Sequence, residues 1–116
     1  MLLPPPPYDL PPAIPVIEHV VSFAELQAHC GNSINLRSGR QALGCSKLNA
    51  HAGRCEIWLP AIGSTDWPGY EYQGFISERL QALSRKHELG HCNGWPDDHR
   101  GGIEVEAKYD PLPTTR

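Results

Sequence analysis

The stretch "RKHELGHCNGWPDDH", residues 85–99, places two histidines four apart around a glutamate, then a glycine, a proline and a cluster of acids ending in a third histidine. It closes the strongest helical pattern in the chain. Phe75, Ile76, Leu80, Leu83, His87 and His91 recur at spacings of three and four, which predicts a long helix from about Tyr72 to Gly94. Gly94 is a natural C-terminal stop, and Pro96 prevents continuation. At about 100° per residue, His87 and His91 lie one turn apart and about 40° apart around the axis, so both imidazoles can reach one metal ion. Glu88 lies beside them. Its carboxylate does not join the same coordination plane easily, but it can hold a water at the metal and accept its proton. The competing reading is a solvated helix end whose cationic histidines complement the dipole. The apolar stripe runs straight into the two histidines and turns them inward, which favours the ligand reading.

Outward from this helix, the 116 residues leave room for one domain with a small core. A net charge of −3 and the lack of any Lys or Arg run offer no field for a phosphate backbone, so no nucleic-acid partner is expected. No membrane segment is evident either. Residues 1–15 read as a Pro-rich extended arm, a solvated spacer rather than a core element. Its "PPPPY" would also suit a WW domain. Residues 16–108 form the folded domain and 109–116 a C-terminal tail.

Four cysteines, Cys30, Cys45, Cys55 and Cys92, contain no C-x-x-C pair, which argues against a four-cysteine zinc ribbon. Two disulfides would staple so small a core and imply an oxidising compartment, secreted or periplasmic. The polar segment "SKLNAHAGR" reads as a hairpin loop flanked by Cys45 and Cys55, so the expected pairs are Cys45 with Cys55 and Cys30 with Cys92. Four reduced, buried cysteines are the alternative. The N-terminal "MLLPPPPYDL" has neither the basic nor the apolar region of a secretory signal.

The other elements follow from pattern. "IPVIEHVV", 14–21, alternates as a first strand. Ser22 and Glu25 form a capping box for the short helix "FAELQAHC", which ends at Gly31. "RQALGC" and "RCEIWLP" read as strands joined around the loop between Cys45 and Cys55, and "GSTDWPG" as a loop. The expected class is α+β, a small antiparallel sheet packed on the long helix.

"HELGHCNG" resembles the HExxHxxG opening of the metzincin branch of zinc metallopeptidases, in which the glycine turns the chain so that a third ligand swings back. "GWPDDH" is similar to the segment that follows in small neutral proteases of the snapalysin type, where an aspartate can replace the third histidine. "RKHELGHCNGWP" with the cysteine layout is also similar to small uncharacterised bacterial proteins. The match covers about 15 residues. It implies a minimal zincin-like domain binding Zn2+ through His87, His91 and a third ligand, with Glu88 as the catalytic base. The metzincin spacing points to Asp97, but His99 is the preferred third ligand, followed by Asp98 and then Asp97. Metzincins also carry a downstream methionine, and Met1 is the only methionine here, so the resemblance is to a reduced relative. A thermolysin-type ligand would require Glu104 or Glu106 on a further helix, whereas "GGIEVEAKYD" reads as extended.

The resemblance further implies peptide-bond hydrolysis of a peptide or protein substrate, and the chain is expected to be a monomer. "CEIWLP" could then line the cleft as an edge strand, or serve as an ordinary strand with Trp58 as core filler. Tyr70, Tyr72 or Tyr109 could steady an oxyanion, although packing roles suit each better. His19, His29 and His51 read as surface residues, Trp67 as core and Trp95 as a wall of the site. Two other readings remain, a closed structural zinc site, with Cys92 as a possible ligand, and a non-catalytic interaction module.

Overall fold

The computed structural model describes residues 1–31, 43–67 and 74–111. Its organising strand is β4, Arg54–Pro60, whose residues from Cys55 onward are buried except for the partly exposed Glu56. Such a continuous apolar run belongs to a strand covered on both faces. β2, Val16–Val21, pairs with it in parallel, from Val16 opposite Cys55 to Val21 opposite Pro60. β3, Cys45–Asn49, pairs antiparallel on the other side, from Cys45 opposite Trp58 to Asn49 opposite Arg54. The sheet order is therefore β2-β4-β3, a mixed sheet rather than the expected antiparallel one. Strand alternation was legible in the sequence, but the helix between β2 and the hairpin carries the chain back, so that β4 runs alongside β2 in the same direction.

Each face of β4 has its own core. Trp58 packs with Val21, Cys45 and, from helix α1 (Phe23–Cys30), Leu26 and Cys30; Trp67, Ile76 and Leu80 join the same cluster. Cys55, Ile57 and Leu59, on the opposite face, pack with Cys92 and Leu89 of helix α2, Glu78–Cys92. This architecture is α+β. No helix among the described residues is long and apolar enough to cross a membrane.

The helix ends follow their local chemistry. In α1 the Ser22 hydroxyl accepts from the Glu25 N–H while the Glu25 carboxylate accepts from the Ser22 N–H, the capping box expected from sequence. α2 starts later than the periodicity implied. Its N-cap is Ser77, whose hydroxyl accepts from the Leu80 N–H at 3.1 Å. Phe75 and Ile76 precede the helix, Phe75 in a bridge to Asp110. Their apolar spacing matched a helical stripe because Ile76 is fully buried from an extended segment. Tyr72 lies outside the described residues.

β3 begins at Cys45, the last residue of the expected strand "RQALGC", of which residues 40–42 lie outside the described residues. Lys47 and Asn49 are polar because they are exposed, and the reversal is confined to Ala50–Gly53, where Asn49 Oδ1 accepts from the Ala52 N–H and Gly53 has φ 62°. This register overturns the expected disulfides. Cys55 sits opposite Leu48, three positions along the ladder from Cys45, so the two side chains point to opposite faces about 10 Å apart along the strand. The pairs are instead Cys30–Cys45, tying α1 to β3, and Cys55–Cys92, tying β4 to α2. One staple serves each face.

The arm is not a solvated spacer. Leu2–Leu3 form β1, paired antiparallel with β5, Ile103–Glu104, and Pro4 is fully buried. Tyr109, assigned to the tail, is buried in the Trp58 core.

Removing the Cys55–Cys92 link, which closes a 37-residue separation, as a Cys55→Ala/Cys92→Ala pair is expected to cost about 2–5 kcal/mol of unfolding free energy. Urea denaturation against the wild type checks this.

Candidate metal centre

The C-terminal end of α2 is shaped by a Schellman turn. The Trp95 N–H donates to the Gly90 carbonyl and the Gly94 N–H to the His91 carbonyl, at 2.9 and 3.0 Å, with Gly94 at φ 94°. The turn folds Trp95 back beneath the helix, where it is 2% exposed. Its ring stacks on His91 at 4.9 Å and meets His87 and His99 edge-on at 5.1 and 5.0 Å. Trp95 is thus the floor shared by three histidines. Its indole N–H donates to the Arg100 carbonyl, holding the following loop closed.

Within that loop the His99 N–H donates to the Pro96 carbonyl and the Gly102 N–H to the His99 carbonyl. His99 has φ 56°, the only positive φ of a non-glycine among the described residues. Histidine tolerates this left-handed region better than most residues, at a cost of order 1–3 kcal/mol that the surrounding contacts must over-determine. The outcome is convergence. His91 Nε2 lies 3.3 Å from His87 Nε2 and 3.1 Å from His99 Nε2, and the three donor atoms lie within 4.8 Å of one another.

Their tautomers follow from the carbonyls behind them. His87 Nδ1 lies 2.6 Å from the Leu2 oxygen and His91 Nδ1 lies 2.8 Å from the Trp95 oxygen. A carbonyl only accepts, so both rings carry their proton on Nδ1 and turn an Nε2 lone pair inward. Burial, reinforced by the neighbouring His91 and His99, pushes His87 down to about 4 against the opposing pull of the Leu2 carbonyl. Burial and His91 likewise lower His99, opposed by Asp97 and Asp98. The His87 and His91 Nε2 lone pairs, 3.3 Å apart, repel unless a cation or a proton donated from a neighbour lies between them. This group can hold one metal ion.

The other candidate ligands lie elsewhere. Asp98 accepts from the guanidinium and backbone N–H of Arg100, and Asp97 borders the groove described below. Glu104 is in β5 and Glu106 pairs with Lys108. Cys92 is bonded to Cys55. Among the described residues no fourth His, Cys, Asp or Glu joins the triad.

Glu88 projects between α2 and β3 and is 6% exposed. Burial pushes its carboxyl up to about 8, opposed by a hydrogen bond with the Ser46 side chain. Gly44 permits this approach, since a Cβ there would fall 2.7 Å from both Ser84 Oγ and the Trp58 carbonyl oxygen and 3.3 Å from Glu88 Cγ. Ser46, the partner of Glu88, together with Leu48 of β3 and with His91, Trp95, Pro96 and Asp97, borders an open groove of about 380 Å³ whose lining does not include Glu88 itself. The strand lining it is therefore β3. "CEIWLP" is the central strand, hydrogen-bonded on both sides, with Trp58 in the core.

Sequence reasoning missed the role of the Leu2 carbonyl, since a backbone acceptor leaves no residue signature. Tyr70 and Tyr72 lie outside the described residues, and Tyr109 and Trp67 are core. His19 stacks on Trp58 and pairs with Glu56, His29 stacks on Trp58, and His51 is exposed. None of these histidines joins the triad. No family model, curated protein or solved structure matches the chain.

Titration with a divalent first-row metal is expected to saturate at one ion per chain. Alanine at His87, His91 or His99 should each weaken binding beyond the roughly 10–100-fold typical of outer partners. Competition with a chromophoric chelator measures this.

Proposed function

We propose that the chain is a zinc-dependent metallopeptidase, and the observation that carries this reading is the three-nitrogen face beside a groove walled by a strand edge. Metal–nitrogen bonds of about 2.0–2.1 Å in a tetrahedron separate two donors by about 3.3–3.4 Å. The Nε2 separations of 3.1 and 3.3 Å match that spacing. Three neutral imidazoles suit zinc, and among the described residues a ligand set of three leaves the fourth position to substrate and solvent, as catalytic sites require. Zinc bound there supplies a Lewis acid that polarises a scissile carbonyl and acidifies water.

The chain's own residues supply the remainder. Glu88 follows His87 on the same helix, and its partner Ser46 borders the groove. A cation held by the triad would lower the raised pKa of Glu88 and favour its ionised form, in which it would serve as the general base of the proposed reaction and then return the proton to the leaving amine. Among the described residues β3 is paired only with β4, so its outer backbone edge can receive an extended peptide by strand addition. Trp95 excludes water from beneath the imidazoles and keeps them in register. Two disulfides in so small a domain support a secreted or periplasmic setting.

Glu88→Gln is expected to retain one zinc per chain while cleavage of a broad peptide library falls by about 10²–10⁴-fold. Elemental analysis with mass-spectrometric product detection reads both quantities. Bound zinc in a wild type that cleaves no peptide would replace this proposal with a structural zinc site or an interaction module.

A further inference from the structure

The groove meets the triad at His91, whereas the Pro-rich arm meets it at His87. The arm is held over the C-terminal half of α2 by independent contacts. β1 pairs with β5, and Pro4 is buried against Gly90, where an added Cβ would fall 2.7 Å from Pro4 Cβ. Gly102 leaves similar room for Leu2, whose Cβ would lie 3.1 Å from a Cβ added there. Further along, Asn93 Nδ2 donates to the carbonyls of Tyr8 and Leu10 at 3.0 and 2.7 Å, and Lys86 pairs with Asp9. This docking delivers the Leu2 carbonyl to His87 Nδ1 at 2.6 Å.

We infer that Leu2–Pro4 is a positioning element of the metal site, with the Leu2 carbonyl orienting His87 and the docked arm setting the affinity for the ion. The inference rests on reading the triad as a zinc site. His91 is oriented from within its own turn, by Trp95, but His87 depends on a carbonyl 85 residues away in sequence. With the arm undocked, the His87 ring exchanges its Nδ1 partner for water and rotates freely, so binding must bear the cost of ordering it. Loss of an outer partner of a metal-bound histidine typically weakens affinity about 10–100-fold.

The test uses the full chain as wild type, Pro4→Asp, Pro4→Ala and Asn93→Ala. Zinc affinity is measured by chelator competition, the fold by far-UV circular dichroism, and the His87 Nδ1–H by ¹⁵N-resolved NMR. Pro4→Asp and Asn93→Ala are expected to keep the wild-type dichroism, bind zinc about 10–100-fold more weakly, and expose the His87 Nδ1–H to rapid solvent exchange. Pro4→Ala, which keeps the buried contact apolar, should stay close to wild type. If Pro4→Asp does not fold, the double variant Pro4→Ala/Asn93→Ala decides, a rapidly exchanging His87 Nδ1–H showing that the arm has left. Unchanged zinc affinity in the folded variants overturns this inference alone. A wild type that binds no zinc overturns it together with the metal reading.

Discussion

The bond from the Trp95 N–H to the Gly90 carbonyl closes the C-terminal turn of α2, and the surrounding structure is arranged about it. It places the indole under three imidazoles, aims the Trp95 carbonyl at His91 Nδ1, and starts the loop that returns His99. Gly90 and Gly94 are required there for different reasons. Gly94 occupies the left-handed region that a Schellman turn demands, while Gly90 leaves space for Pro4 on one side and Trp95 on the other. A side chain at position 90 would separate the arm, the helix and the floor of the site at once.

That turn can be rigid only if the helix bearing it is fixed, and β4 supplies the fixed point. Cys55, Ile57 and Leu59 face α2, and the Cys55–Cys92 bond lies one residue from His91. Gln81 Nε2 donates to the Pro60 carbonyl at the other end of the strand. The opposite face of β4 carries its own core, and there the Cys30–Cys45 bond ties α1 to the neighbouring β3, so the strand is buffered on both sides. In a chain of this size the two covalent links supply order that a larger core would provide by burial alone.

The histidine cluster was legible in part because its chemistry is local. His87, Glu88 and His91 are set by helical periodicity, Gly94 and Pro96 by their backbone restrictions, and the α1 cap by Ser22 and Glu25. His99 is the residue whose ring nitrogen lies with those of His87 and His91, and the left-handed backbone that turns its ring inward has no signature in residue spacing. The disulfide reading failed for a definite reason. It treated Lys47 and Asn49 as loop because they are polar, whereas β3 beyond Ser46 is a strand exposed at each of Lys47, Leu48 and Asn49. Moving the strand inverted the faces of Cys45 and Cys55.

By itself the sequence determined the elements governed by contacts within a few residues, namely the capped helix α1, strands β2 and β4, the helix bearing two histidines one turn apart, and its stop at Gly94. Tertiary structure decided the parallel pairing of β2 with β4, the disulfide partners, the edge position of β3 and the docking of the arm on α2. Those outcomes depend on which apolar faces meet across long separations in the chain. Backbone periodicity orients a side chain on its own element but does not choose the partner that covers it.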